Sequence, residues 1–268
     1  MATLYGFIGC GNMGGAIATA VAKTAGGSAL LLANRTPAKA ERLAAALGAE
    51  TGDNETVAKT CDWIFLGVKP QMMADLLAGL APILADRAAR QERFLLVTMA
   101  AGQPMARIRA MAGGDYPVIR IMPNTPAAIG QGTIPYCTLD VTEEEEAHFQ
   151  AVMAGAGVLD PLPEQLIDAA SSVAGCGPAW VYQFIEALAD GGVACGLPRD
   201  KALCYAAQTV AGSAQLVLQS GQHPGALKDA VCSPAGSTIQ GVRVLEERGF
   251  RGAVMDAVIA AYEKTTKL

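Results

Sequence analysis

The chain has 268 residues, too many for one ordinary domain of about 100–200 residues and too few for three, so two domains are expected. Hydrophobic residues make up 51% and charged residues 17%, with a mean hydropathy of +0.29, which excludes a disordered or fibrous chain. Aromatic residues are only 5%, a balance suited to close-packed helices and a parallel sheet rather than an all-β sandwich, and a net charge of −5 without a Lys/Arg cluster speaks against nucleic acid as a partner.

The first apolar run, residues 4–8, leads straight into a glycine-rich turn, so no secretory signal is read there and a cytoplasmic protein is expected. After the turn, helical spacing continues through Val21, giving strand, turn and helix. Residues 29–33 form a second strand, after which Thr36 caps and Pro37 opens a helix through Leu47 that Gly48 stops. The alternation continues with strands at 63–68, 94–99 and 118–122 and helices at 71–84 and 104–111. Strands separated by helices imply an α/β fold, a doubly wound parallel sheet of the Rossmann type.

Thr142 and Glu145 match a capping box, so the glutamate run 143–146 is read as a favourable helix start rather than an acid site, with His148 on the same solvated helix. From about Pro163 the strand pattern disappears, and helices are expected at 164–173, 178–195, 198–219, 237–248 and 252–265. This divides the chain into a dinucleotide-binding domain, residues 1–161, and an all-helical domain, residues 162–268. The stretch 202–219 has no charged residue but carries several Gln and Ser, and reads as a buried or interface helix rather than a membrane span.

Seven cysteines without a C-x-x-C pair or a histidine at ligand spacing support neither a zinc site nor a disulfide framework, and no metal is expected. The chemistry is instead signalled by glycine. Gly9, Gly11 and Gly14 form a G-x-G-x-x-G that follows a strand and opens a helix, the context in which that motif binds a dinucleotide. Gly9 permits the turn, Gly11 lets the backbone approach a pyrophosphate, and the helix from Asn12 points free N–H groups at the anion. Where an NAD enzyme has an acid after the second strand, this chain has Asn34-Arg35-Thr36. An amide, a guanidinium and a hydroxyl can donate to a 2′-phosphate that a carboxylate would repel, so NADPH is expected over NADH. The competing reading makes Arg35 a surface cation and Thr36 only a cap.

Proton donors are scarce: the only histidines are His148 and His223, and no lysine lies between Lys69 and Lys201. A carbonyl reduced by hydride needs an acid to quench its alkoxide, whereas a protonated imine becomes a neutral amine, so an imine substrate is favoured. Ser233, Gly236, Ser237 and Thr238 stand at a helix start whose unpaired N–H groups could hold a carboxylate. A plain capped helix start fits the same residues equally well.

Six segments together resemble the pyrroline-5-carboxylate reductase family over essentially the whole length: Ile8-Gly9-Cys10-Gly11-Asn12-Met13, Val68-Lys69-Pro70-Gln71, Met122-Pro123-Asn124-Thr125-Pro126, Gly175-Cys176-Gly177-Pro178-Ala179, His223-Pro224 with Leu227-Lys228-Asp229, and residues 233–239. The resemblance implies hydride transfer from NADPH to 1-pyrroline-5-carboxylate, giving L-proline. It implies cofactor contacts at Ile8 to Met13, at Asn34 to Thr36, at Asn54 before the next helix, and at Gly67, Val68, Lys69 and Pro70. It places the substrate carboxylate on the loop of Ser233, Gly236 and Ser237, with the Thr238 hydroxyl near the ring nitrogen. It also implies a dimer with interleaved helical domains, often built into a ring of dimers. Ala235 and Ser237 depart from the Gly and Thr usual in that loop, and Trp180 from the usual Tyr. The alternatives weighed are a β-hydroxyacid dehydrogenase, whose proton-donating lysine is missing early in the helical half, and a non-catalytic NADP-binding regulatory module.

Overall fold

The computed structural model describes residues 3–267. Strand β1 (Tyr5–Ile8) runs into helix α1 (Asn12–Ala25), and β2 (Leu30–Ala33) into α2 (Pro37–Leu47). Pro37 sits in the first turn of α2, and Gly48 ends it at φ 69°, a left-handed angle that glycine adopts without a Cβ clash. Then follow β3 (Glu50–Thr51), α3 (Asn54–Thr60), β4 (Trp63–Leu66), α4 (Met73–Ala89), β5 (Leu95–Thr98), α5 (Met105–Ala112) and β6 (Val118–Ile121). Next come β7 (Gly132–Leu139), α6 (Glu143–Met153) and β8 (Gly157–Pro161).

These strands form one sheet in the order β3-β2-β1-β4-β5-β6-β7-β8. Neighbours from β3 to β6 are parallel, β7 pairs antiparallel with β6, and β8 runs parallel to β7. The doubly wound parallel sheet is therefore present, with two reversed strands added at one edge. Both faces are covered: Phe7, Phe65 and Val97 enter one core with Ile17 of α1, while Ile8, Ile64 and Leu96 enter the other with Leu77 and Ile108. Such double burial makes the strands continuous apolar runs rather than alternating ones.

The capping box forms as read. Thr142 Oγ1 accepts from the Glu145 N–H, and the Glu145 carboxylate accepts from the Thr142 N–H. The Glu145 carboxyl is held below its usual pKa first by Arg93 and then by that backbone bond.

Helix α7 (Glu164–Ala174) begins where the helical half was expected, yet the chain forms one compact unit up to Cys176 together with residues from Ala261 on, and a second over Gly177–Ala260. The reason is packing. Ile167 enters the sheet's core, and the buried Arg120 of β6 pairs with Asp168 and lies 3.6 Å from Glu164, so α7 is held to the sheet.

The second unit contains α8 (Gly177–Ala194), α9 (Arg199–Ser220), α10 (Pro224–Ala230), α11 (Ser237–Glu247) and most of α12 (Phe250–Thr265). Its own core is small, built on Ala189, Ala202 and Ala206, while Leu203, Leu216, Leu218, Met255 and Ile259 are exposed. So many exposed large apolar side chains on a single chain mark an association surface. No described helix is long and apolar enough to cross a membrane.

Candidate active site

Strand order reverses between β1 and β4, and the crevice outside the carboxyl ends of strands at such a reversal is where open parallel sheets bind ligands. Three glycines shape it. Gly9 has φ 102°, and a Cβ there would lie 2.7 Å from the Gly67 carbonyl carbon. A Cβ on Gly14 would lie 2.0 Å, and one on Gly67 2.4 Å, from the Gly9 oxygen. The turns after β1 and β4 and the first turn of α1 thus touch backbone to backbone, tied by a 2.8 Å bond from the Gly67 N–H to the Ile8 carbonyl. Gly11 differs, since a Cβ there meets no atom within 4 Å. It opens onto free space at the start of α1, where no side chain caps the helix.

Around this turn the expected cofactor residues converge. Ile8, Gly9 and Cys10 are buried, Met13 is half-buried, and Gly11 and Asn12 are exposed. Burial pushes the Cys10 thiol up to about 11, so it is a neutral packing group. Asn34 follows β2 directly: its Oδ1 accepts from the Cys10 N–H at 3.0 Å and its Nδ2 donates to the Thr36 carbonyl at 3.0 Å. Arg35 and Thr36 are exposed beside it, and the Thr36 side chain does not cap α2. After β4, Gly67, Val68 and Pro70 are half-buried and Lys69 is exposed at the head of a short 3₁₀ turn.

Asn54 is the first residue of α3 rather than one preceding a helix, because Asp53 takes the cap. The Asp53 carboxylate accepts from both the hydroxyl and the N–H of Thr56 at 2.7 Å, which lowers the Asp53 pKa.

In the helical unit, Ser233, Ser237 and Thr238 are exposed around a tight turn closed by a 3.0 Å bond from the Gly236 N–H to the Ser233 carbonyl. Ala235 holds this turn at φ 59°, the left-handed region that costs a non-glycine residue about 1–2 kcal/mol. Gly236 is the N-cap of α11, so the helix start has no side-chain cap bond, and no acid lies in its first turn. Thr238 therefore is not the helix cap. A Cβ on Gly236 would lie 2.3 Å from the Ser233 hydroxyl.

Both histidines are engaged elsewhere. His148 Nε2 lies 2.6 Å from the Tyr5 hydroxyl at the other end of β1, and His223 Nδ1 accepts from the Gly225 N–H at the start of α10. Among the described residues no group of three His, Cys, Asp or Glu could hold a metal. Asn124, in the segment after β6, is buried and holds a structural position beside the site. Its Nδ2 donates to the Ala174 carbonyl and its Oδ1 accepts from the Thr133 N–H, both at 3.0 Å, tying the loop after β6 to the end of α7.

Comparison with known proteins covers both halves. A family model described as pyrroline-5-carboxylate reductase dimerisation matches residues 164–268, and one described as NADP oxidoreductase coenzyme F420-dependent matches residues 4–100. The pyrroline-5-carboxylate reductase of Escherichia coli is 40% identical over 98% of this chain and 97% of its own, and that of Glycine max is 44% identical over 80% and 76%. The crystal structure of Plasmodium falciparum pyrroline carboxylate reductase with NADP bound superposes with a TM-score of 0.89 at 32% identity, covering 99% of this chain and 97% of that one.

Proposed function

This chain belongs to the pyrroline-5-carboxylate reductase family, and we infer from that premise that it reduces 1-pyrroline-5-carboxylate to L-proline with NADPH. The protein self-associates through its helical half, the part matched by the dimerisation family and the part whose apolar side chains lie open on one chain. It works in the cytoplasm, a setting that suits seven cysteines with no disulfide.

The residues of the first unit fit the cofactor. Gly11 leaves space for a pyrophosphate at the head of α1, and the first-turn N–H groups of that helix supply the field that favours an anion. The exposed Arg35 and Thr36 offer a charge and a hydroxyl to a 2′-phosphate, and the turn from Gly67 to Pro70 closes the other side. When bound, NADPH supplies the hydride.

In the second unit, the uncapped start of α11 carries the substrate assignment. Ser233, Gly236 and Ser237 frame N–H groups that receive a carboxylate, and the Thr238 hydroxyl hydrogen-bonds the ring nitrogen. Thr238 orients the imine rather than protonating it, because an aliphatic hydroxyl is a good hydrogen-bond partner and a poor acid. The proton already sits on the iminium, so hydride addition at its carbon leaves a neutral secondary amine and no alkoxide to quench. That removes the need for a histidine or lysine acid, in keeping with the engagement of both histidines elsewhere. Replacing Thr238 while following NADPH oxidation with the imine tests the assignment; a variant with unchanged turnover and affinity would remove Thr238 from the site.

A further inference from the structure

The side chain of Asn34 is positioned by two bonds whose chemistry fixes which way its amide points. The Cys10 N–H can only donate, so the atom 3.0 Å from it is the amide oxygen; the Thr36 carbonyl can only accept, so the atom 3.0 Å from it is the amide nitrogen. Asn34 therefore spans two loops that are 24 residues apart in sequence, the glycine turn after β1 and the segment after β2. The Gly9 N–H bond to the Ala33 carbonyl at 2.8 Å is a second tie beside it. With the Cys10 N–H already bonded, the anion-facing donors of the turn begin at Gly11.

We propose that Asn34 is a positioning residue that locks the pyrophosphate turn to the 2′-phosphate loop, leaving discrimination between the two dinucleotides to Arg35 and Thr36. The inference deepens the cofactor reading above and rests on it. A direct ligand of the 2′-phosphate would act on NADPH alone. A brace acts on both dinucleotides, because NADH shares the pyrophosphate that the braced turn receives. The same bonds make Asp a poorer fit than Asn at this position: a carboxylate keeps the acceptor for Cys10 but loses the donor to Thr36 and sets two oxygens against each other.

Titration of the intact oligomer with NADPH and NADH tests the brace. Asn34→Ala should raise both dissociation constants about tenfold with little change in their ratio, the size expected for losing a net hydrogen bond or two. Arg35→Ala should raise that for NADPH only. A loss confined to NADPH in Asn34→Ala, or no loss for either, would overturn the proposal. Amide exchange at Cys10, measured without any dinucleotide, reads the brace separately and does not depend on the variant's affinity. It should quicken in Asn34→Ala and stay slow in Asn34→Asp, which keeps the acceptor; equal exchange in the wild type and both variants would refute the brace. Failure of the wild type to bind either dinucleotide would refute the cofactor reading and this proposal with it, a result distinct from a wild type that binds beside unaffected variants.

Discussion

Gly11 and Gly14 belong to one motif, yet they should fail in opposite ways when given a side chain. At Gly14 a Cβ would sit 2.0 Å from the Gly9 oxygen, a backbone atom that cannot swing aside. Either α1 or the turn must then move by more than about 1 Å, and a clash with backbone puts the cost at the upper end of the roughly 1–3 kcal/mol typical of overpacking, which leaves about 2 kcal/mol after the ~1 kcal/mol that alanine gains over glycine in a helix. At about 2–4 °C per kcal/mol for a unit of this size, Gly14→Ala should melt several degrees below the wild type. At Gly11 a Cβ meets no atom within 4 Å, so Gly11→Val should cost no more than about 1 kcal/mol at the helix start. Its methyl groups fill the space reserved for the pyrophosphate, so NADPH binding should be lost. Differential scanning calorimetry and fluorescence titration on the same preparations read both effects. A Gly11→Val protein that folds and binds NADPH tightly, or a Gly14→Ala protein as stable as the wild type, would refute the reasoning.

Thr238→Ala should lower kcat/KM for the imine roughly ten- to a hundredfold, from about 1–3 kcal/mol of lost transition-state hydrogen bonding, with the NADPH dissociation constant and Tm unchanged. Arg35→Ala should narrow the preference for NADPH over NADH by weakening NADPH, measured as a ratio of specificity constants; an unchanged ratio would make Arg35 a bystander. The Cys10 thiol, raised to about 11 from 9.0, binds its proton more tightly folded than unfolded, so its stabilising contribution is complete below pH 9 and is lost as pH rises through 11. The decline of Tm across that window should therefore be shallower in Cys10→Ala, and identical slopes would contradict the burial effect.

Much of this architecture was legible because its signals are local. Pro37 and Gly48 bound α2, although the Thr36 side chain makes no cap, and Thr142 with Glu145 opens α6, since first-turn residues, caps and stops act within a few residues. The elements that escaped the sequence reading depend on partners far away or are very short. Strand β3 is two exposed residues with no apolar run. Strand β7 carries Pro135 in its middle, which reads as a loop, yet the strand is fixed by antiparallel pairing to β6 and parallel pairing to β8. Helix α3 follows where the resemblance places a helix after Asn54, but it starts one residue earlier because Asp53 caps it, a signal present in the sequence as Asp followed by Thr three residues on. Helix α10 opens with the His223-Pro224 pair but is only seven residues long, too short for an apolar period to show.

At the site, the glycine turn was readable as a motif. The roles within it were not: only the fold shows that Gly14 and Gly67 both press on the Gly9 oxygen while Gly11 faces open space. The expectation that the Asn34 amide would serve a 2′-phosphate could not anticipate that one of its N–H groups goes to Thr36 and its oxygen to Cys10. Likewise the extension of the first unit to Cys176 depends on Arg120 meeting Asp168, two residues that no local pattern links.

The most direct test of the whole account is steady-state NADPH oxidation by the purified oligomer with 1-pyrroline-5-carboxylate, beside NADP⁺ reduction with simple hydroxyacids, with the product identified by amino-acid analysis. Consumption of NADPH matched by formation of L-proline, with no turnover of the hydroxyacids, is the result predicted; no imine-dependent oxidation, or comparable turnover of a hydroxyacid, would contradict it.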